Sequence, residues 1–151
     1  LPQYAGADAD AIEDVGPPPS GHGERVLLVD DEPDIVDLGE MMLRNLGYDV
    51  RAFADSEKAL EALQATPYQF DLLLTDHLMP KVTGAELARH ALMLRPNMPV
   101  IVATGFAELL PMEQAKAMGV REHITKPFSV SELGHLIHRA LDRVDHQDPE
   151  R

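Results

Sequence analysis

Four polar stops interrupt otherwise apolar runs, and their residue types suggest one shared chemistry. Asp30 and Asp31 end the run Val26-Leu27-Leu28-Val29, and Asp76 ends a run that begins at Phe70. Thr104 ends Val100-Ile101-Val102-Ala103, and Lys126 follows the short stretch 121–124. Three carboxylates brought together repel, and each raises the pKa of the others. A divalent cation relieves that conflict; oxygen ligands with no cysteine in the chain suit a hard ion, Mg2+ first. Mg2+ commonly shares its coordination sphere with phosphate, and the Lys126 ammonium and Thr104 hydroxyl would complete a trap for a phosphoryl group. With no Ser or Cys at the centre, Asp76 is the economical nucleophile. Each residue alone has a plainer reading: a strand-end turn for Asp76 or Thr104-Gly105, a helix cap for Asp30-Asp31, a surface charge for Lys126. The inference rests on the four stops occurring in order, each directly after a predicted strand.

The elements that must position these residues follow from periodicity. Residues 26–29 and 100–103 are apolar throughout, and 70–75 are apolar but for Asp71 and Thr75, as strands buried on both faces are. Residues 48–53, with Arg51 in the middle, and the polar 121–124 read as edge strands. Pro33 suits the first turn of a helix whose apolar face is Ile35, Leu38, Met42 and Leu46, with Gly47 as its stop. Asp55 or Ser56 caps a helix carrying Leu60 and Leu63 that ends near Pro67. Leu87, Ala91 and Leu94 mark a third helix, and 108–118 a weaker fourth. Ser129 with Glu132 makes a capping box for the last, whose core face is Leu133, Ile137, Ala140 and Val144. Five strand–helix units predict an α/β fold: a (βα)5, doubly wound, flavodoxin-like five-stranded parallel sheet of order 2-1-3-4-5. The switch point then lies between the first and third strands, and ligands bind beyond the carboxyl ends there.

Residues 1–24 are acidic and rich in Pro and Gly, the composition of a flexible linker; 25–144 form the domain and 145–151 a frayed tail. A formal charge of −13 opposes nucleic-acid binding, which needs a basic stripe. No apolar run approaches the roughly 20 residues of a membrane span, and no signal peptide is visible, so no direct membrane contact is expected. The start at Leu1 reads as a piece of a longer protein.

Over residues 24–143 the chain resembles the receiver domain of two-component response regulators. The resemblance is carried by Val29-Asp30-Asp31-Glu32, by Thr75-Asp76-His77-Leu78-Met79-Pro80 with Gly84, by Thr104-Gly105 and by Lys126-Pro127-Phe128. It implies that Asp76 accepts a phosphoryl group from a phosphohistidine on a histidine kinase or histidine phosphotransfer domain. By the same resemblance Asp30, Asp31, Asp76 and the His77 backbone carbonyl hold Mg2+, Lys126 contacts the phosphoryl oxygens, and Thr104 moves to report the phosphate. The Lys126–Pro127 bond is expected to be cis, and the output surface to span 108–143. Such a domain catalyses only its own phosphoryl transfer and dephosphorylation, and it is expected in the cytoplasm, as a monomer by default.

Two positions depart from the family pattern. His123 stands three residues before the lysine, where the family often has Tyr or Phe, so the switch ring falls to His123 or Phe106. Leu78, two residues after Asp76, cannot position a water by hydrogen bonding, which implies a persistent phosphoryl-aspartate. His135 and His138 form a possible metal pair without a visible third ligand. The leader, the wording Ala103-Thr104-Gly105-Phe106 and the short stretch after the last helix resemble the C-terminal receiver of a hybrid sensor histidine kinase; a stand-alone response regulator is the alternative. A haloacid-dehalogenase-like phosphatase, from another class, needs Asp-x-Asp-x-Thr after the first strand, whereas Asp30 and Asp31 are adjacent. A degenerate receiver acting only as a binding module is opposed by the complete acidic set and Lys126.

Overall fold

A computed structural model describes residues 17–105, 120 and 122–147. The chain runs β1 (Arg25–Val29), α1 (Pro33–Asn45), β2 (Asp49–Phe53), α2 (Ser56–Ala65), a short 3-10 turn (Pro67–Gln69), β3 (Leu72–Asp76), α3 (Gly84–Leu94), β4 (Val100–Thr104), β5 (Glu122–Thr125) and a C-terminal helix (Val130–Gln147). The five strands form one sheet of order β2-β1-β3-β4-β5, parallel throughout. The helix expected over 108–118, Phe106 and the Val144 side chain lie outside the described residues.

Alternate strand residues face opposite sides of the sheet and build two cores. Val26, Leu28, Leu72, Leu74, Ile101 and Ala103 pack with α1 and the C-terminal helix. Leu27, Val29, Leu73, Val100 and Val102 pack with α2 and α3. Ser129 and Glu132 exchange the two hydrogen bonds of a capping box, at 2.9 and 3.0 Å, and Thr83 with Glu86 makes a second at the start of α3.

Three local readings change. The α1 face expected to be core is only half buried: Met42 and Leu46 pack into the core, but Ile35 and Leu38 are 37% and 53% exposed, and Val36 and Leu43 are buried beside them. Gly39 lets the helix come close to β1 at this turn: a Cβ there would lie 3.0 Å from the Leu28 side chain. Asp145 to Gln147, expected to fray, continue the C-terminal helix. Finally, residues 17–24, read as part of a flexible spacer, lie on the domain. The Gly21 N–H donates to the Leu46 carbonyl at 2.6 Å, and the Gly23 N–H to the Gly47 carbonyl at 2.9 Å.

Glycines make that seat possible. Gly47 has φ +98°, and a Cβ on it would lie 2.7 Å from the Gly21 carbonyl oxygen. In the middle of the C-terminal helix, where glycine is otherwise unfavourable, a Cβ on Gly134 would lie 2.5 Å from Pro18 Cβ. Gly134→Val is therefore expected to eject the strap, lower stability by about 1–3 kcal/mol and open residues 17–24 to limited proteolysis. Cleavage there at the wild-type rate would show that the seat does not hold the strap.

Candidate functional site

Strand register brings the polar stops level. Val29 lies beside Thr75, Asp76 beside Ala103, and Thr104 beside Thr125. Residues 30, 76, 104 and 126 therefore meet at the carboxyl edge of β1, β3, β4 and β5. Backbone bonds tie that edge together: the His77 N–H donates to the Ala103 carbonyl at 2.9 Å, and the Lys126 N–H to the Thr104 carbonyl at 2.7 Å.

Asp30, Asp76 and Thr104 are buried, Asp31 half-buried. Asp30, Asp31 and Asp76 can each bring a carboxylate oxygen within 4.8 Å of the other two. The Lys126 Nζ stands 2.9 Å from Asp30 Oδ2 and 3.1 Å from Asp76 Oδ1. Asp30 Oδ1 accepts from the Glu32 N–H at 3.0 Å. Asp76 Oδ1 differs: it is buried and, although its ionic neighbour is close, no donor meets it in hydrogen-bonding geometry. An underserved buried oxygen beside two further carboxylates fits a hard cation. Among the described residues this is the one cluster of three or more such ligands, and it does not include His135 or His138.

The electrostatics agree with that reading. Burial pushes the Asp76 carboxyl above the usual carboxylate range; the Lys126 ammonium opposes the rise and the Asp30 charge adds to it. Burial pulls the Lys126 ammonium down, but its hydrogen bond to Asp30 and the charges of Asp30 and Asp76 outweigh that and hold it above the ordinary lysine value. A lysine thus serves as counter-ion to a site with more negative charge than it can neutralise.

The remaining predicted positions surround this centre. His77 turns its carbonyl to the Gly84 N–H at 2.9 Å, which leaves the oxygen a second lone pair. Leu78 is 54% exposed beside Asp76. The Lys126–Pro127 peptide bond is cis. His123 is half-buried on β5, paired in register with Val102. Thr75 is fully buried, and its hydroxyl donates to the Asp76 carbonyl at 3.0 Å, orienting the backbone that carries the carboxylate.

Reasoning from sequence missed two features. An apolar cleft of about 350 Å³ runs from Asp30, Asp76 and Lys126 between α1 and the C-terminal helix, lined by Ile35, Leu38, Met42, Phe128 and Leu133. Ser56 grips the loop after Asp76. The signal for the first was present in Gly39, a helix residue with no side chain to hold the sheet away.

Comparison with known proteins places this geometry. The family model described as response regulator receiver domain matches residues 26–138. The chain is 35% identical over 118 residues to the response regulator receiver protein CpdR of Brucella abortus, a match covering 78% of this chain and 97% of that protein. It is also 35% identical over 118 residues to the response regulator protein PilR of Pseudomonas aeruginosa, again over 78% of this chain but only 26% of PilR. Against three further curated relatives it spans 46% to 50% of their length. A crystal structure of a response regulator receiver domain protein from Clostridium thermocellum superposes with a TM-score of 0.77 at 27% identity, covering 82% of this chain and 98% of that one. A CheY-like receiver domain protein from Methanospirillum hungatei gives 0.74 at 31% identity, covering 83% and 98%.

Proposed function

The chain belongs to the response regulator receiver domain family, and on that premise we propose that Asp76 is the phosphoacceptor of a two-component phosphotransfer. The observation that carries the proposal is the Asp76 carboxylate itself: buried at a strand end, 3.1 Å from Lys126, with one oxygen short of a donor. One Asp76 oxygen forms a bond to phosphorus as the P–N bond of a phosphohistidine breaks. The electron pair stays on the donor nitrogen, which takes up a proton from solvent. Lys126 has three N–H donors and can turn one from the carboxylates to a phosphoryl oxygen. Thr104, at the neighbouring strand end, supplies a hydroxyl to the same group and reports it.

Asp30, Asp31, Asp76 and the His77 carbonyl would hold Mg2+, which when bound offsets charge on the phosphoryl oxygens. His123, or Phe106, is the candidate relay beyond Thr104. The donor is a histidine kinase or phosphotransfer domain; exposed Ile35 and Leu38 beside the cleft offer it an apolar foothold.

The domain is assigned to 25–144 with the strap 17–24 against it, in a cytoplasmic setting. Among the described residues no helix is long and apolar enough to cross a membrane. The Pro-rich leader and the 103–106 wording support the terminal receiver of a hybrid histidine kinase. The 97% coverage of CpdR supports a stand-alone regulator instead.

Acetyl phosphate with Mg2+ is expected to add one phosphoryl group to the wild type, seen by mass, and none to Asp76→Asn. Beryllofluoride is expected to shift the amide resonances around Asp76, Thr104 and Lys126; an unmoved spectrum would sink the proposal. The phosphoryl group should persist without a phosphatase, because Leu78 cannot guide a water; rapid loss would remove that role from Leu78.

A further inference from the structure

The loop that follows Asp76 contains a strained turn. Lys81 has φ +72°, a left-handed conformation unfavourable for a residue with a side chain. The Val82 N–H donates to the Pro80 carbonyl two residues back, at 2.9 Å, closing a γ-turn of the rarer, strained kind. Strain of this sort persists only where the surroundings hold it.

Here one hydroxyl holds both ends. Ser56 Oγ donates to the Pro80 carbonyl at 2.9 Å and accepts from the Val82 N–H at 3.1 Å. Ser56 is 3% exposed and opens α2, a helix rooted in the core by Ala59 and Leu63. The cap of that helix is its neighbour Asp55, which accepts from the Glu57 N–H at 2.9 Å, so the Ser56 hydroxyl is not needed there. Lys81 adds weaker surface ties, with Nζ 3.4 Å from Asp55 and 3.7 Å from Glu57. Between this clamp and Asp76 lie His77, Leu78 and Met79. Met79 is buried in the core, and the Gly84 N–H is hydrogen-bonded to the His77 carbonyl. The placement of Leu78 and of the His77 carbonyl thus depends on how the loop is anchored at its far end.

We propose that Ser56 is a positioning residue for the phosphoacceptor: its hydroxyl fixes the 77–82 loop and so sets the rates at which phosphate enters and leaves Asp76. The proposal rests on Asp76 being the phosphoacceptor. Entry forms the carboxylate O–P bond; loss is attack of water on phosphorus, breaking that bond to return the carboxylate and inorganic phosphate. Ser56 touches none of the reacting atoms and acts only through the loop.

The test compares wild type, Ser56→Ala, Ser56→Thr and Asp76→Asn, with acetyl phosphate and Mg2+. Ser56→Ala is expected to change the rate of phosphorylation or of spontaneous loss by roughly tenfold, less than the roughly hundredfold that a 1 Å displacement of a reacting group can cost. Ser56→Thr, which keeps the hydroxyl, should return both rates to wild type. Hydrogen exchange at the Val82 N–H reads the clamp without any phosphate and should be about fivefold faster in Ser56→Ala, as for loss of one hydrogen bond. Unchanged rates alongside faster Val82 exchange would overturn the positioning role and leave the phosphoacceptor reading intact. Unchanged Val82 exchange would overturn the clamp. Asp76→Asn labelled as fully as wild type would remove the phosphoacceptor reading, and this proposal with it.

Discussion

Lys126→Met is expected to leave the domain folded but about 2–3 kcal/mol less stable in EDTA, at or just below the usual cost of removing one partner from a buried ion pair. The ammonium is the cation held between the buried carboxylates of Asp30 and Asp76, at 2.9 and 3.1 Å. Its removal strands both. The side chain is 24% exposed, so water takes over part of its role and keeps the effect from being larger. Added Mg2+ should restore part of the loss, because the same carboxylates would bind it. The deficit should also depend on pH. Asp76 has a folded pKa raised by burial, so the stability linked to its protonation is fully present below the unfolded pKa and is lost as pH rises through the folded one. Without Lys126 that loss deepens, and the variant should approach wild type towards about pH 4, where model carboxyls protonate. Urea midpoints in EDTA, in Mg2+ and across pH test all three statements. Equal midpoints for variant and wild type at neutral pH in EDTA would show that the ammonium does not hold the site together.

Gly84→Ala is expected to cost about 3 kcal/mol, the upper end for overpacking, and to lower phosphorylation of Asp76 by roughly a hundredfold through displaced geometry. A Cβ on Gly84 would overlap the Asp76 carbonyl oxygen and lie 3.0 Å from both the Asp76 carbonyl carbon and the His77 Cα. All three atoms are backbone, so no side chain can rotate away. Either α3 or the end of β3 has to move, and the Gly84 N–H bond to the His77 carbonyl goes with it. Acetyl phosphate labelling with thermal melts separates the two effects. A variant with wild-type stability and rate would mean that the start of α3 is not locked against the end of β3.

Much of this molecule was legible before any coordinates. Three runs dominated by apolar residues, 26–29, 70–75 and 100–103, read as central strands. The strand–helix alternation required them to be parallel, and parallel strands end on one edge. Asp30, Asp76, Thr104 and Lys126 were therefore bound to converge, and carboxylates around a cation and an ammonium point to phosphoryl chemistry.

What sequence left open turns on small groups meeting across long separations. Helix α1 offers apolar residues at 35, 36, 38, 42, 43 and 46, and periodicity alone does not say which are left outside. Close approach of Gly39 to Leu28 accompanies burial of Val36, Leu43 and Leu46, and Ile35 and Leu38 remain beside the site as an exposed rim. Residues 17–24 have a linker's composition, yet Gly47 and Gly134 leave space that only a close-packed backbone and Pro18 fill. Ser56 read as a cap because capping is local; its partners, Pro80 and Val82, are 24 and 26 residues away. Residue type and spacing by themselves determined the sheet and the edge at which Asp30, Asp31, Asp76 and Lys126 gather, since burial and alternation act along the chain. Which helix face turned outward, where the leader docked and what holds the loop after Asp76 were decided only by tertiary structure, because close packing and single hydrogen bonds leave no periodic trace.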